Sequence, residues 1–401
     1  MSDAPIPSIH DFAKPAQMAY VPMDMAKVLH SPAPPMEWLV EGFIPLGAPG
    51  ALVAKPGCGK SQISLDLALC VALGLPFLGR KASPEPRSAI YLSMEDPHDE
   101  VHRRLERAMQ RLVPEEDAPA ARDLAANRLK VFFPEYRLGT AELSLQANRV
   151  PLVAVAKSFK DPCGLIILDT QNTLFLGEEN SSRDSGAFWG ECQALAEETC
   201  ASVLVLHHLR KSSERSEAKT LAERLSPENL RGSSAIEGRA RFVLVASPLS
   251  AGEAASVGLD PTQAHREDLV VLSAGKVNGA SKGAWFLLER PVGSADGILR
   301  PHAQSESIVQ QLQEQSWSGS SERKARKSLA WQVLQPLALA GGLDRVDRDL
   351  LLALIWPRAG TGEQQLQKQL GWLKKENYLA SEKVTEAGIT WLKNCTGVDS
   401  E

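Results

Sequence analysis

The residues of this chain that could do chemistry fall in a short series, each at the end of an apolar run. The run Ala51-Leu52-Val53-Ala54 leads through Lys55-Pro56 into Gly57-Cys58-Gly59-Lys60-Ser61, and a helical pattern opens at Gln62. Glycines at 57 and 59 let backbone N–H groups turn toward an anion, a helix N-terminus adds a favourable dipole, and Lys60 can reach terminal phosphates. Strand, glycine loop and helix in that order are the context of a nucleoside triphosphate loop, with the Ser61 hydroxyl placed for Mg²⁺. The nucleotide-contacting candidates are therefore Pro56, Gly57, Cys58, Gly59, Lys60, Ser61 and Gln62. One position departs from the pattern G-x-x-x-x-G-K-[ST]: Ala54 stands where its first glycine is expected.

Hydrolysis of a bound triphosphate needs charge neutralisation, an oriented water and groups that complete the site. Asp169 closes the run Leu165-Ile166-Ile167-Leu168 and is the candidate, with Ser61, for holding Mg²⁺. An apolar run ending in an acid is common as plain structure, but here it follows the phosphate loop in the expected order. The next residues, Thr170-Gln171, supply no second acid. A carboxylate at the tip of a neighbouring strand could instead hold and deprotonate the attacking water, and Glu95 follows the strand pattern Ser88–Ser93. Asp96 is the competitor for that role, or the cap of the helix that starts after Pro97. His207-His208 close the run Val203–Leu206; the pair has no cysteine partners for a metal site, and His208 is the candidate for sensing the γ-phosphate.

Positioning these residues requires a particular frame. The apolar strand patterns alternate with helical ones (98–112, a stretch within 142–159, and 185–200), which is the signature of a parallel sheet covered on both faces. In such a sheet, ligands lie beyond the carboxyl ends of the strands, where all of these polar residues fall. Further strands are expected at 129–133, 241–245, 269–273 and 284–288, with Lys276-Val277-Asn278-Gly279 as a hairpin turn. Residues 209–230 carry Arg210, Lys211, Arg215, Lys219 and Arg224 among acids and serines and are expected to contribute nothing to a core. They read as a loop that touches a nucleic-acid backbone or is simply solvated.

Around this core, a proline-rich arm spans 1–35, the catalytic region 36–290, and a Ser/Gly/Gln-rich linker 291–322. Helical patterns at 324–339, 345–355 and 363–375, followed by segments near Leu379 and Val384, resemble a winged-helix domain over 323–396, a module that serves DNA contact or protein contact. With 43% hydrophobic and 23% charged residues the chain can build a real core. A net charge of −5 argues against coating nucleic acid with overall positive charge, though not against a local basic lining. The cysteines form no C-x-x-C pair, no run of about 18 apolar residues occurs, and a cytoplasmic protein without membrane contact is expected.

The phosphate loop, the strand ending Glu95-Asp96-Pro97, the strand ending Asp169-Thr170, the strand ending His207-His208 and the later Arg231-Gly232-Ser233-Ser234 resemble the RecA-type ATPase core of plasmid RepA-like hexameric replicative helicases. The resemblance implies an α/β, RecA-like P-loop core with a mostly parallel sheet, binding ATP and Mg²⁺ between subunits of a homo-oligomeric, hexameric ring. Single-stranded DNA in the channel and replication initiator or loading proteins are the implied partners. It carries over Lys60, Ser61, Glu95, Asp169 and His208 in the roles above. Arg241 matches the arginine finger that reaches a neighbour's γ-phosphate, with Arg231 and Arg239 as close competitors. Lys276 matches a lysine near the same phosphate, although Asn278 replaces the arginine that often follows it. Two other readings stay open: a RecA-like DNA-remodelling ATPase without processive unwinding, and an ATP-switched DNA-binding regulator.

Overall fold

Four of the strands contain consecutive large apolar residues, which only a sheet buried on both faces can accommodate. The computed structural model describes residues 23–83, 85–139, 141–175, 177, 182–208, 220–227, 238–279, 283–293 and 298–315, with the backbone of 379–380 and 383–384. Its centre is a 9-stranded sheet. The strands are β1 (Pro49–Ala54), β2 (Ser88–Ser93), β3 (Leu129–Phe132), β4 (Cys163–Asp169), β5 (Ser202–His208), β6 (Phe242–Pro248), β7 (Leu269–Val277), β8 (Trp285–Glu289) and β9 (Arg300–Pro301). Across the sheet they run β9-β8-β7-β6-β1-β5-β4-β2-β3. From β6 to β3 every pairing is parallel, and β6 to β9 continue antiparallel.

Alternate side chains of each central strand serve two separate cores. Ala51, Val53, Ile166, Leu168, Val203 and Val205 face one, together with Phe188, Trp189 and Leu195 of a helix spanning Ser182–Thr199 and with Leu152 and Val153 of a helix spanning Leu145–Lys157. Leu52, Ala54, Leu165, Ile167, Leu204 and Leu206 face the other, with Ile63, Leu65 and Leu67 of α1 (Lys60–Leu73). Helix α1 is buried almost throughout. It has no polar face because the sheet lies beneath it and α2 (His98–Leu112) and α3 (Ala118–Arg128) flank it. In α2, Val101, Leu105, Ala108, Met109 and Leu112 make the apolar stripe, and Asp99 and Glu100 favour its N-terminal turn. The sheet and its two helical layers are the RecA-like P-loop architecture.

Several expectations need correction. Residues 220–225 do contribute to the core: Leu221–Leu225 is a helix whose Thr220–Glu223 capping box turns Leu221 and Leu225 inward. Arg224 pairs there with Glu253 at 2.7 Å, so it is committed to the fold and not to nucleic acid. Strand β7 runs on through Val277, so Lys276 is a strand residue opposite Val243 and not part of the turn. The linker expected from 291 begins later, since Ile298 and Leu299 are buried and the helical residues 305–315 insert Ile308, Val309 and Leu312 into the core. Helix α3, rich in alanine and arginine, is not anticipated by the pattern. Residues 209–219, 228–237 and most of the winged-helix-like region lie outside the described residues; within the latter, Leu379–Ala380 and Lys383–Val384 pair antiparallel. In the separate unit that ends at Glu37, Asp24 caps a short helix, Met25–His30.

Candidate nucleotide-binding site

The parallel registers bring the polar strand ends together. Ala54 is level with His208, and Ser93 with Asp169, so the phosphate loop, Glu95, Asp169 and His208 share one edge of the sheet. Ala54 itself explains the departure from the loop motif. It is the last residue of β1, fully buried and in extended pairing with strands on both sides, so the position has no need of glycine's freedom. Gly57 and Gly59 do need it, at φ 83° and 80°.

Lys60 is folded back on its own loop. Its Nζ donates to the Ala54 carbonyl (3.1 Å), the Lys55 carbonyl (3.2 Å) and His208 Nδ1 (3.0 Å). An ammonium has only donors, so Nδ1 accepts and the ring's Nε2–H is left to face Glu95 Oε2 at 3.4 Å. Glu95 Oε1 accepts from the Thr170 hydroxyl at 2.8 Å. Burial holds the Lys60 ammonium below its ordinary pKa, and the Cys58 thiol, Asp169 and Glu95 pull it partly back. The chain Lys60–His208–Glu95–Thr170 thus joins the phosphate-reaching cation to the carboxylate facing the cleft.

Asp169 is 1% exposed, and burial raises its carboxyl above the usual range, partly offset by hydrogen bonds from Tyr91 and Ser61. Its Oδ2 accepts from the Tyr91 hydroxyl at 2.5 Å, while Oδ1, also buried, has no hydrogen-bond partner among the described residues. An oxygen left over beside a serine hydroxyl, with no cluster of three or more His, Cys, Asp or Glu among the described residues, suits Mg²⁺. That ion takes few protein oxygens and completes its shell with water and phosphate. Asp96 is occupied differently from either expectation: Arg104 clamps it at 2.5 and 3.3 Å, and the N-cap of α2 is Pro97 without a side-chain cap. Asp96, Glu100, Arg104 and Arg107 line the same cleft as Lys60, Ser61, Gln62 and Glu95, a space of about 420 Å³.

Two of the expected residues lie elsewhere. The Arg241 N–H donates to Pro49 O (2.8 Å), at the beginning of β1, and Arg241 O accepts from Asn278 N–H (3.0 Å), close in sequence to Lys276. Arg241 and Lys276 therefore share the sheet edge opposite the phosphate loop. The Arg239 guanidinium lies against Gly186 of the Ser182–Thr199 helix, and Arg231 is outside the described residues. Motif reading missed Tyr91, Arg104, Arg290 and Leu299. Only Tyr91 left a signal, as a hydroxyl-bearing residue inside an otherwise apolar strand.

Fold and site together define a nucleotide-binding P-loop ATPase. Residues 14–214, half of the chain, match the model of the AAA domain family, and the chain belongs to that family. Among solved structures, the ATPase domain of a helicase is similar over 63% of this chain and 84% of that chain, at 14% identity and a TM-score of 0.43. No helix among the described residues is long and apolar enough to cross a membrane.

Proposed function

We propose that this chain is an ATP-driven, ring-forming DNA helicase for plasmid, phage or mobile-element replication. Hydrolysis at the interfaces between copies would drive movement on single-stranded DNA. One observation carries the reading: Arg241 and Lys276 sit at the wrong end of the sheet to serve their own nucleotide. From Pro49 to Ala54 strand β1 spans about 17 Å, more than an arginine side chain can reach. The exposed Arg241 and the half-buried Lys276 have a use at a phosphate only if that phosphate belongs to another copy. Such an arrangement is head-to-tail and allows a ring to close.

Within each site the proposed roles follow the hydrogen bonds. The incoming triphosphate offers Lys60 better acceptors than two carbonyls and an imidazole, so Lys60 turns to the phosphates. His208, relieved of Lys60, keeps Glu95 as its partner and reports whether the γ-phosphate is present. Glu95, held by Thr170, takes the proton of the attacking water. Mg²⁺, held by Ser61 and through water by Asp169, neutralises charge on the β- and γ-phosphates when bound.

The test is ATPase activity with and without single-stranded DNA, plus unwinding of forked duplexes with either tail free, for wild type and Lys60→Ala. DNA-stimulated hydrolysis and unwinding by wild type, both lost in Lys60→Ala, are expected. An assembled ring that shows neither would overturn the helicase reading.

A further inference from the structure

Arg290 follows β8 and belongs to no sequence motif, yet it grips the phosphate loop. Its backbone N–H donates to Asp268 O (2.8 Å), Nη1 donates to Glu267 O (2.8 Å), and Nη2 donates to Gly57 O (2.9 Å). One residue thus ties the end of β8 to the turn before β7 and to the middle of the loop. Leu299 approaches the second loop glycine so closely that a Cβ on Gly59 would come within 2.5 Å of its Cδ1. Both residues line the cleft that contains Lys60, Ser61 and Gln62.

The peptide that Arg290 touches is the one that matters to a phosphate. Gly57 C=O and Cys58 N–H belong to the same peptide unit, and a loop that wraps an anion with its N–H groups turns its carbonyls outward. A guanidinium donor on that carbonyl is a charge-assisted hydrogen bond, which polarises the peptide and strengthens its N–H as a donor. We propose that Arg290 is a positioning residue for the phosphate loop: it caps Gly57 O while Leu299 rests on Gly59, and together they set the loop's affinity for nucleoside di- and triphosphates. The inference rests on the reading of the cleft as an ATP site. The contact is to the loop and not to the reacting phosphorus or the attacking water. Its loss therefore weakens ADP and ATP alike, and KM rises more than kcat falls.

Calorimetric titration with ADP and with ATP, steady-state kinetics and nucleotide-free melting would be measured on the full chain as wild type, Arg290→Ala and Arg290→Lys. Arg290→Ala is expected to bind both nucleotides about five- to tenfold more weakly, as for loss of one charge-assisted hydrogen bond. Arg290→Lys, with its charge but without the planar fork, should recover part of that loss. Equal ADP affinity in wild type and Arg290→Ala overturns the proposal alone. So does an affinity loss that Lys does not relieve and that follows a collapse of nucleotide-free melting, the behaviour of a merely structural residue. Wild type that binds neither nucleotide overturns the ATP-site reading and the proposal with it.

Discussion

At the scale of single residues, Glu95 and Thr170 are separable in function. If Glu95 takes a proton from water, Glu95→Gln removes the base and keeps the shape, so kcat should fall by roughly 100-fold or more while nucleotide binding persists. Thr170→Val removes only the 2.8 Å hydrogen bond that locates the carboxylate. It should cost about tenfold in kcat with unchanged ADP affinity. Single-turnover kinetics with direct binding measurements would separate the two. A Thr170→Val effect as large as that of Glu95→Gln would mean the hydroxyl itself touches the reacting groups.

Helices α1 and α2 make a prediction at the scale of elements. Asp66 of α1 pairs with Arg111 of α2 at 2.5 Å and accepts from Gln62 at 2.9 Å, beside the buried Cys70 thiol. Burial pushes its carboxyl up to about 6, more than Arg111 and Gln62 pull it down. The folded form therefore takes up a proton at a pH where the unfolded chain remains ionised. The resulting stabilisation is complete below the ordinary carboxylate range and is lost as pH rises through about 6. Wild type should lose about 1 kcal/mol more than Asp66→Asn between pH 5 and pH 7 in urea unfolding. Parallel curves for the two proteins would show that Arg111 keeps the carboxylate ionised throughout.

For the whole molecule, the sheet's two edges are the issue. If Arg241 serves a neighbour's phosphate, Arg241→Ala should retain ATP binding while turnover falls by about 10³-fold, the scale of an arginine finger. Mixing it with wild type should depress activity more than in proportion, because each mutant copy disables a site it does not itself bind. Normal hydrolysis by Arg241→Ala would move the finger to Arg239 or Arg231. Linear dilution of activity on mixing would mean each copy works alone.

Much of this was legible in the residues themselves. Apolar runs of β4 and β5 can exist only inside a two-faced sheet, and parallel strands deliver their terminal Asp169 and His208 to the edge where the phosphate loop must be. Local periodicity also placed α2 at its observed limits, 98–112. What it could not convey is burial supplied by distant chain. Leu221 and Leu225, or Ile308 and Leu312, are too few to mark an element until the sheet offers them a face. The same holds for contacts between residues remote in sequence. Lys60 meets His208 across 148 positions and Arg290 meets Gly57 across 233, distances over which spacing carries no information. The sequence by itself determined that a triphosphate site would form and which strand ends would build it. Only the tertiary structure decided that Arg241 and Lys276 lie away from that site and that Arg290 holds it, because strand register and packing settle which end of a strand a residue occupies.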